Sequence, residues 1–104
     1  MSAILELSLP QLHRKLIAEI DQRYRQIRHC QSDLERFAAG MRRFEEVYQM
    51  GSKEFYTRFE RGELGDDMDF FEWASLCDMF RHALEDIERM EEELHDILDQ
   101  HLHQ

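Results

Sequence analysis

From Leu9 to Tyr48 the apolar positions recur at alternating steps of three and four. They are Leu9, Leu16, Ile20, Ile27, Cys30, Leu34, Phe37, Met41, Phe44 and Tyr48, with His13 and Arg23 as polar members of the same series. That alternation is the seam of a coiled-coil helix. Ser8 is placed to cap the start, Pro10 is tolerated in the first turn, and Gly51 follows as a stop. Gly40 alone interrupts the run, at about 1 kcal/mol relative to alanine. The spacing predicts a long helix over 8–50. A second series, Phe70, Trp73, Cys77, Phe80, Leu84, Ile87, Glu91, Leu94, Leu98 and His101, predicts another over 67–102. Asp66, Asp67 and Asp69 gather at its positive end, where carboxylates cap free N–H groups and oppose the helix dipole. Between the two, Ser52 caps a short helix over 52–61, Gly62 ends it, and Gly65 turns the chain toward the aspartates.

The two long helices are expected to fold back antiparallel, each roughly 50–60 Å long at ~1.5 Å per residue. One register pairs Phe44 with Phe70, Met41 with Trp73, Leu34 with Phe80, Ile27 with Ile87 and Leu16 with Leu98. Regular heptads always match somewhere, so the polar members discriminate better. In this register Arg23 faces Glu91 and His13 faces His101. A shift of one heptad leaves a lone charge against an apolar residue, which costs several kcal/mol in a dry seam. Arg23 and Glu91 are therefore the expected register-fixing layer, with snorkelling of both charges to water as the alternative.

Two helices enclose a thin core. Leu12, Ile17, Tyr24, Ala38 and Val47 widen the apolar stripe of the first, and Met68, Phe71, Leu76, Met79, Met90 and Ile97 that of the second. This is more apolar surface than a lone hairpin covers. The expected fold is all-α: an antiparallel long-helix hairpin with a short helix at its tip, in a single domain over 1–104. A second copy, giving a four-helix bundle, or a different protein would cover the surplus.

Composition agrees with long helices. Of 104 residues, 35% are charged, one is proline, four are glycine, and Val47 is the one valine, so no sheet is expected. The net charge of −10 is unevenly spread. Residues 1–50 carry eight Lys/Arg against seven Asp/Glu, and residues 51–104 carry five against sixteen, or +1 against −11. The acidic half repels phosphate backbones and anionic membranes, so neither direct nucleic-acid nor membrane binding is expected; it suits a basic protein surface. Cys30 and Cys77 fall on apolar faces and read as free thiols of a reduced, cytoplasmic protein. The amino-terminal run Met1 to Pro10 has neither a basic leader nor a long apolar stretch, so no secretion signal is expected.

The stretch EFYTRFERGELGDDMDFFEW, Glu54 to Trp73, breaks the helical pattern with rings and acids. Phe55, Tyr56 and Phe59 share helical spacing and are expected to seal the hairpin tip against Phe70 and Trp73. Glu60, Glu63, Asp66, Asp67, Asp69 and Glu72 make an anionic collar beyond what capping needs. Rings as anchors and carboxylates as steering charges fit a protein-binding edge, with Phe55, Tyr56, Phe59, Glu63, Asp66, Asp69, Glu72 and Trp73 as candidate contact residues.

Glu54-Phe55-Tyr56, Arg58-Phe59, Gly62-Glu63-Leu64-Gly65-Asp66 and Asp69-Phe70-Phe71-Glu72-Trp73 resemble the signature of a family of small bacterial and archaeal proteins. Several members are similar to proposed antitoxins, encoded beside a toxin-like partner. The resemblance covers residues about 50 to 82. It implies a helical partner-binding protein whose partner is encoded nearby.

Enzymatic chemistry finds little support in the sequence. Glu92 and His95 form a Glu-x-x-His unit, but Leu94 takes the seam and turns both to the flank, and the first helix offers no seam glutamate. No metal or other cofactor is expected. The serines lack a His/Asp setting, and no glycine-rich phosphate loop occurs. The arginines of the first helix are interleaved with acids and suit ion pairs better than a nucleic-acid stripe. The reading is a non-enzymatic binding module, the antitoxin or inhibitor half of a pair. A self-assembling four-helix bundle and an acidic nucleic-acid mimic acting on a nuclease are the alternatives.

Overall fold

The computed structural model describes residues 8–102; residues 1–7, His103 and Gln104 lie outside them. The described residues form three helices and no strand: α1, Leu9–Tyr48; α2, Ser52–Glu60; and α3, Met68–Leu102. Helices α1 and α3 pack against each other as a hairpin and α2 closes its tip. The molecule is 63 Å long and only 22 Å and 21 Å across. Its radius of gyration of 20.7 Å compares with about 13 Å for a compact domain of this length.

Local chemistry sets the helix ends. Ser8 accepts a bond from the amide of Gln11 at 3.3 Å, and the Gln11 side chain accepts from the Ser8 amide at 2.8 Å, a reciprocal capping box. Helix α1 stops through Gln49, in the left-handed region at φ 53°, two residues before the expected glycine. Gly51 instead caps α2, and Ser52 is the first helical residue rather than the cap. The amide of Ser52 is satisfied by Glu45 Oε2 of α1 at 2.8 Å, so one helix supplies the carboxylate that caps the next. Gly62, at φ 69°, ends α2 as anticipated, with the Glu63 amide bonded back to the Arg58 carbonyl at 3.0 Å. Asp67 Oδ1 accepts from the Asp69 amide at 2.9 Å and opens α3.

The α1 seam follows the sequence pattern from Leu16 to Tyr48, whereas Leu9 and His13 are exposed. The α3 seam differs. Trp73, Phe80, Ile87 and Leu94 belong to two interleaved three-four series, one continuing through Cys77, Leu84 and Glu91, the other through Leu76, Ala83 and Met90. The structure buries Ala83 and Met90 and leaves Leu84 and Glu91 exposed. The same rotation is visible at Gly40, where Leu76 sits so close that an added Cβ would lie 2.9 Å from its Cδ1. The Leu76 flank of α3 thus faces α1 here.

The polar layer changes with it. Arg23 donates to Glu93 Oε2 at 2.7 Å and lies 3.6 Å from Glu19 Oε1; Glu91 is exposed and is not its partner. Side chains lean toward the N-terminus of their own helix. Across an antiparallel pair the two leans add, so contacts fall about two residues beyond the positions that face each other backbone to backbone. Arg23 accordingly reaches Glu93, and Phe44 stacks on Trp73 at 5.7 Å rather than meeting Phe70.

Candidate protein-binding site

The rings of the Glu54–Trp73 stretch converge on the hairpin tip. Phe55 and Trp73 are both 0% exposed and lie face to face, 3.8 Å between centroids and 5° between planes. Tyr48 of α1 stacks on Trp73 at 5.8 Å and tilts against Phe70 at 5.2 Å. Phe59 stacks on Phe55 and meets Phe71 edge-on, each at 5.6 Å. Burying an indole needs a home for its N–H. Trp73 Nε1 donates to the hydroxyl of buried Ser52 at 2.9 Å. That hydroxyl, expected as a helix cap, instead joins α2 to α3.

Two tyrosines bind the tip from outside. Tyr48 donates to Asp69 Oδ2 at 2.7 Å, and Tyr56 to Asp78 Oδ1 at 2.6 Å. Ionising either phenol places a second negative charge against the carboxylate and forfeits the bond. Tyr48 is pushed up to about 12 and Tyr56 is raised in the same way, the hydrogen bond being the main cause in each. Burial pushes the Cys77 thiol up to about 11 and raises that of Cys30. Both remain protonated, poorly nucleophilic thiols at neutral pH.

The candidate contact residues therefore separate by depth. Phe55 and Trp73 are interior and offer a partner no surface in this conformation. Tyr56, Phe59 and Asp69 are half-buried, each with an internal partner. Glu63, Asp66 and Glu72 are exposed, as is Glu60; Arg61 approaches Glu63 only to 3.9 Å. In the same stretch two apolar side chains that the pattern had placed only in the widened stripe are exposed as well: Phe71, 50% exposed, and Met68, 78% exposed. Their signal lies in the Phe70-Phe71 pair, because adjacent helical residues diverge by about 100° and only one can face the core.

Glu92 and His95 point to solvent, and no group of three or more His, Cys, Asp or Glu among the described residues could hold a metal ion. No helix among them is long and apolar enough to cross a membrane. The chain matches no protein-family profile, no curated protein and no solved structure.

Proposed function

We propose that the chain is a non-enzymatic helical binding protein, the antitoxin or inhibitor half of a pair, whose acidic collar masks a basic protein. The carrying observation is that Glu60, Glu63, Asp66 and Glu72 are exposed in the same stretch as the exposed Phe71 and Met68, next to a sealed aromatic base. A rigid base lets a few exposed anchors bind without a large ordering cost, and the carboxylates steer a basic surface toward them. The exposed acids on the outer face of α3, among them Glu85, Glu88 and Glu92, extend the same field along the rod. The basic partner is encoded nearby under this reading, and the protein works in the cytoplasm as a homodimer. Co-expression tests it. The neighbouring gene's product is expected to arrest growth alone, and this chain to restore it and co-purify with the product. Failure of the two proteins to associate would contradict the reading.

Self-assembly is the second reading, supported by apolar residues left open along the hairpin, Ile17, Tyr24 and Leu84 among them. A four-helix bundle with no second protein would keep its full stability and a single size when the neighbouring product is added.

A further inference from the structure

Charge is sorted around the rod as well as along the chain. Helix α1 turns one side to α3 and the opposite side to water. On the outward side Lys15, Gln22, His29, Arg36 and Arg43 form one row of seven-residue steps. Arg14, Arg28 and Arg42 belong to the adjacent row, and Arg25 lies between the two. All are exposed, and the acids among them are Asp21, Glu35 and Glu46, so this side carries seven Lys/Arg against three Asp/Glu, a balance of +4. In sequence order the helix interleaves its arginines with acids, but the fold draws three of its six acids away from this side. Glu45 accepts from the Ser52 amide at 2.8 Å, Glu19 lies 3.6 Å from Arg23 at the seam, and half-buried Asp33 lies 3.0 Å from Arg36. Asp21 pairs with Arg25 at 2.8 Å, which leaves Arg14, Lys15, Arg28, Arg42 and Arg43 with no ion-pair partner among the described residues. Helix α3 is the reverse, with two Lys/Arg against eleven Asp/Glu, and Glu85, Glu92 and Asp96 are exposed on its own outward side.

We infer that the outward side of α1 is a docking surface for the phosphate backbone of duplex DNA, contacted without regard to sequence. This goes beyond the collar's partner and does not depend on it, because the two surfaces are different. The apolar residues of this side are Ala18 and Ala39, so it has no aromatic or branched anchor to fill a pocket on another protein and none to enter a bilayer. What it offers is charge and hydrogen bonds. Six of its seven cations are arginines, whose planar fork takes a phosphate in two bonds. Gln22, His29 and Ser32 add donors of the kind that position a protein on a backbone. Duplex DNA presents one charge per ~1.7 Å of axis, and release of its counterions favours a surface with several cations and no anchors. From Arg14 to Arg43 the cations span roughly 44 Å at ~1.5 Å per residue, about the length of 13 base pairs. The net charge of −10 opposes binding, but most of it belongs to α3 and the tip. The molecule is 22 Å and 21 Å across its short axes, about two to three Debye lengths at 0.15 M salt, so the α3 acids act only weakly at the α1 surface.

Fluorescence anisotropy of a labelled DNA duplex of about 24 base pairs, titrated with the full chain, tests this. At about 0.05 M salt, saturable binding in the micromolar range is expected, equal within about threefold for duplexes of unrelated sequence. About four phosphate contacts predict a roughly hundredfold loss of affinity between about 0.05 M and about 0.2 M salt. Arg28→Glu and Asp96→Lys change the net charge by equal and opposite amounts on opposite sides of the rod. Arg28→Glu is expected to weaken binding roughly tenfold, and Asp96→Lys to alter it by less than about threefold. Absence of wild-type binding at about 0.05 M salt, or binding that salt does not weaken, would overturn the inference. Shifts of equal size for Arg28→Glu and Asp96→Lys would also overturn it, because net charge rather than one side would then govern. A preference above about tenfold for one sequence would overturn backbone contact. Tighter binding to polyglutamate or to anionic phospholipid vesicles than to the duplex would overturn the choice of DNA. Salt and sequence dependence are read on the wild-type chain, so they decide even if a variant fails to fold.

Discussion

The indole nitrogen of Trp73 donates to the Ser52 hydroxyl at 2.9 Å inside the sealed tip, tying α3 to the first residue of α2. Leaving a buried N–H unpaired costs about 1–3 kcal/mol. Ser52→Ala is therefore expected to destabilise the fold by that amount, and Trp73→Phe to do so through the lost bond and the smaller ring. The two losses should not add, because they share one interaction. Urea melts in a double-mutant cycle measure this, and strictly additive losses would contradict the pairing.

Gly40 carries the closest approach of α1 to α3. Gly40→Ala gains about 1 kcal/mol of helix propensity but sets a methyl group 2.9 Å from Leu76 Cδ1, the mobile end of a side chain. The effects nearly cancel, so the change is expected to be small. Gly40→Leu cannot be absorbed and is expected to cost about 2–3 kcal/mol by forcing the helices apart. Equal stabilities for the leucine variant and wild type would show that the helices do not touch here.

Arg23 separates the observed register from the one its sequence suggests. Its partner is Glu93, and its Nε is buried without one. Arg23→Met is expected to leave stability unchanged or raise it by up to about 1 kcal/mol, since the pair is half-exposed and a buried polar atom is removed. Glu93→Lys is expected to lower stability by about 1 kcal/mol, and Glu91→Ala to change it by less than about 0.5 kcal/mol. Thermal melts of the three variants decide, and a larger loss for Glu91→Ala than for Glu93→Lys would restore the other pairing.

Alkaline pH acts on the tip. Tyr48 in the fold is pushed up to about 12 by its bond to Asp69, above the ordinary value of 10.0. The folded chain thus holds the phenolic proton more tightly than the unfolded chain. That preference contributes stability fully present below about pH 10 and lost as pH rises toward about 12. Cys77, pushed from 9.0 up to about 11 by burial, acts in the same sense starting lower. The melting temperature is expected to fall above about pH 9, and Tyr48→Phe to flatten the upper part of that fall. A melting temperature constant to about pH 11 would contradict the assignment.

Much of this fold is legible in the residues. Three-four spacing locates both long helices, Gly62 marks the end of α2, and the ring cluster announces a sealed tip. The rotation of α3 is not legible, because Trp73, Phe80, Ile87 and Leu94 belong to two equally regular series. Choosing Ala83 over Leu84 runs against hydrophobicity, and it goes with the close Gly40–Leu76 contact, which the spacing does not announce. Ser52 and Gln49 were obscured in another way. A serine before a helical run reads as a cap, and nothing in the sequence shows that an indole will claim its hydroxyl. At the candidate site, charge and aromatic content mark the region but not the depth of each side chain. The exposed Phe71 emerges only once Phe70 is seen to face Tyr48.

The reading that the collar captures a basic protein is tested most directly by calorimetric titration of the neighbouring gene's product into wild-type chain and into a Glu63→Lys, Asp66→Lys, Glu72→Lys variant, at low and high salt. Tight binding that weakens with salt and is lost in the variant is the predicted result. Binding of undiminished strength to the reversed collar would contradict it.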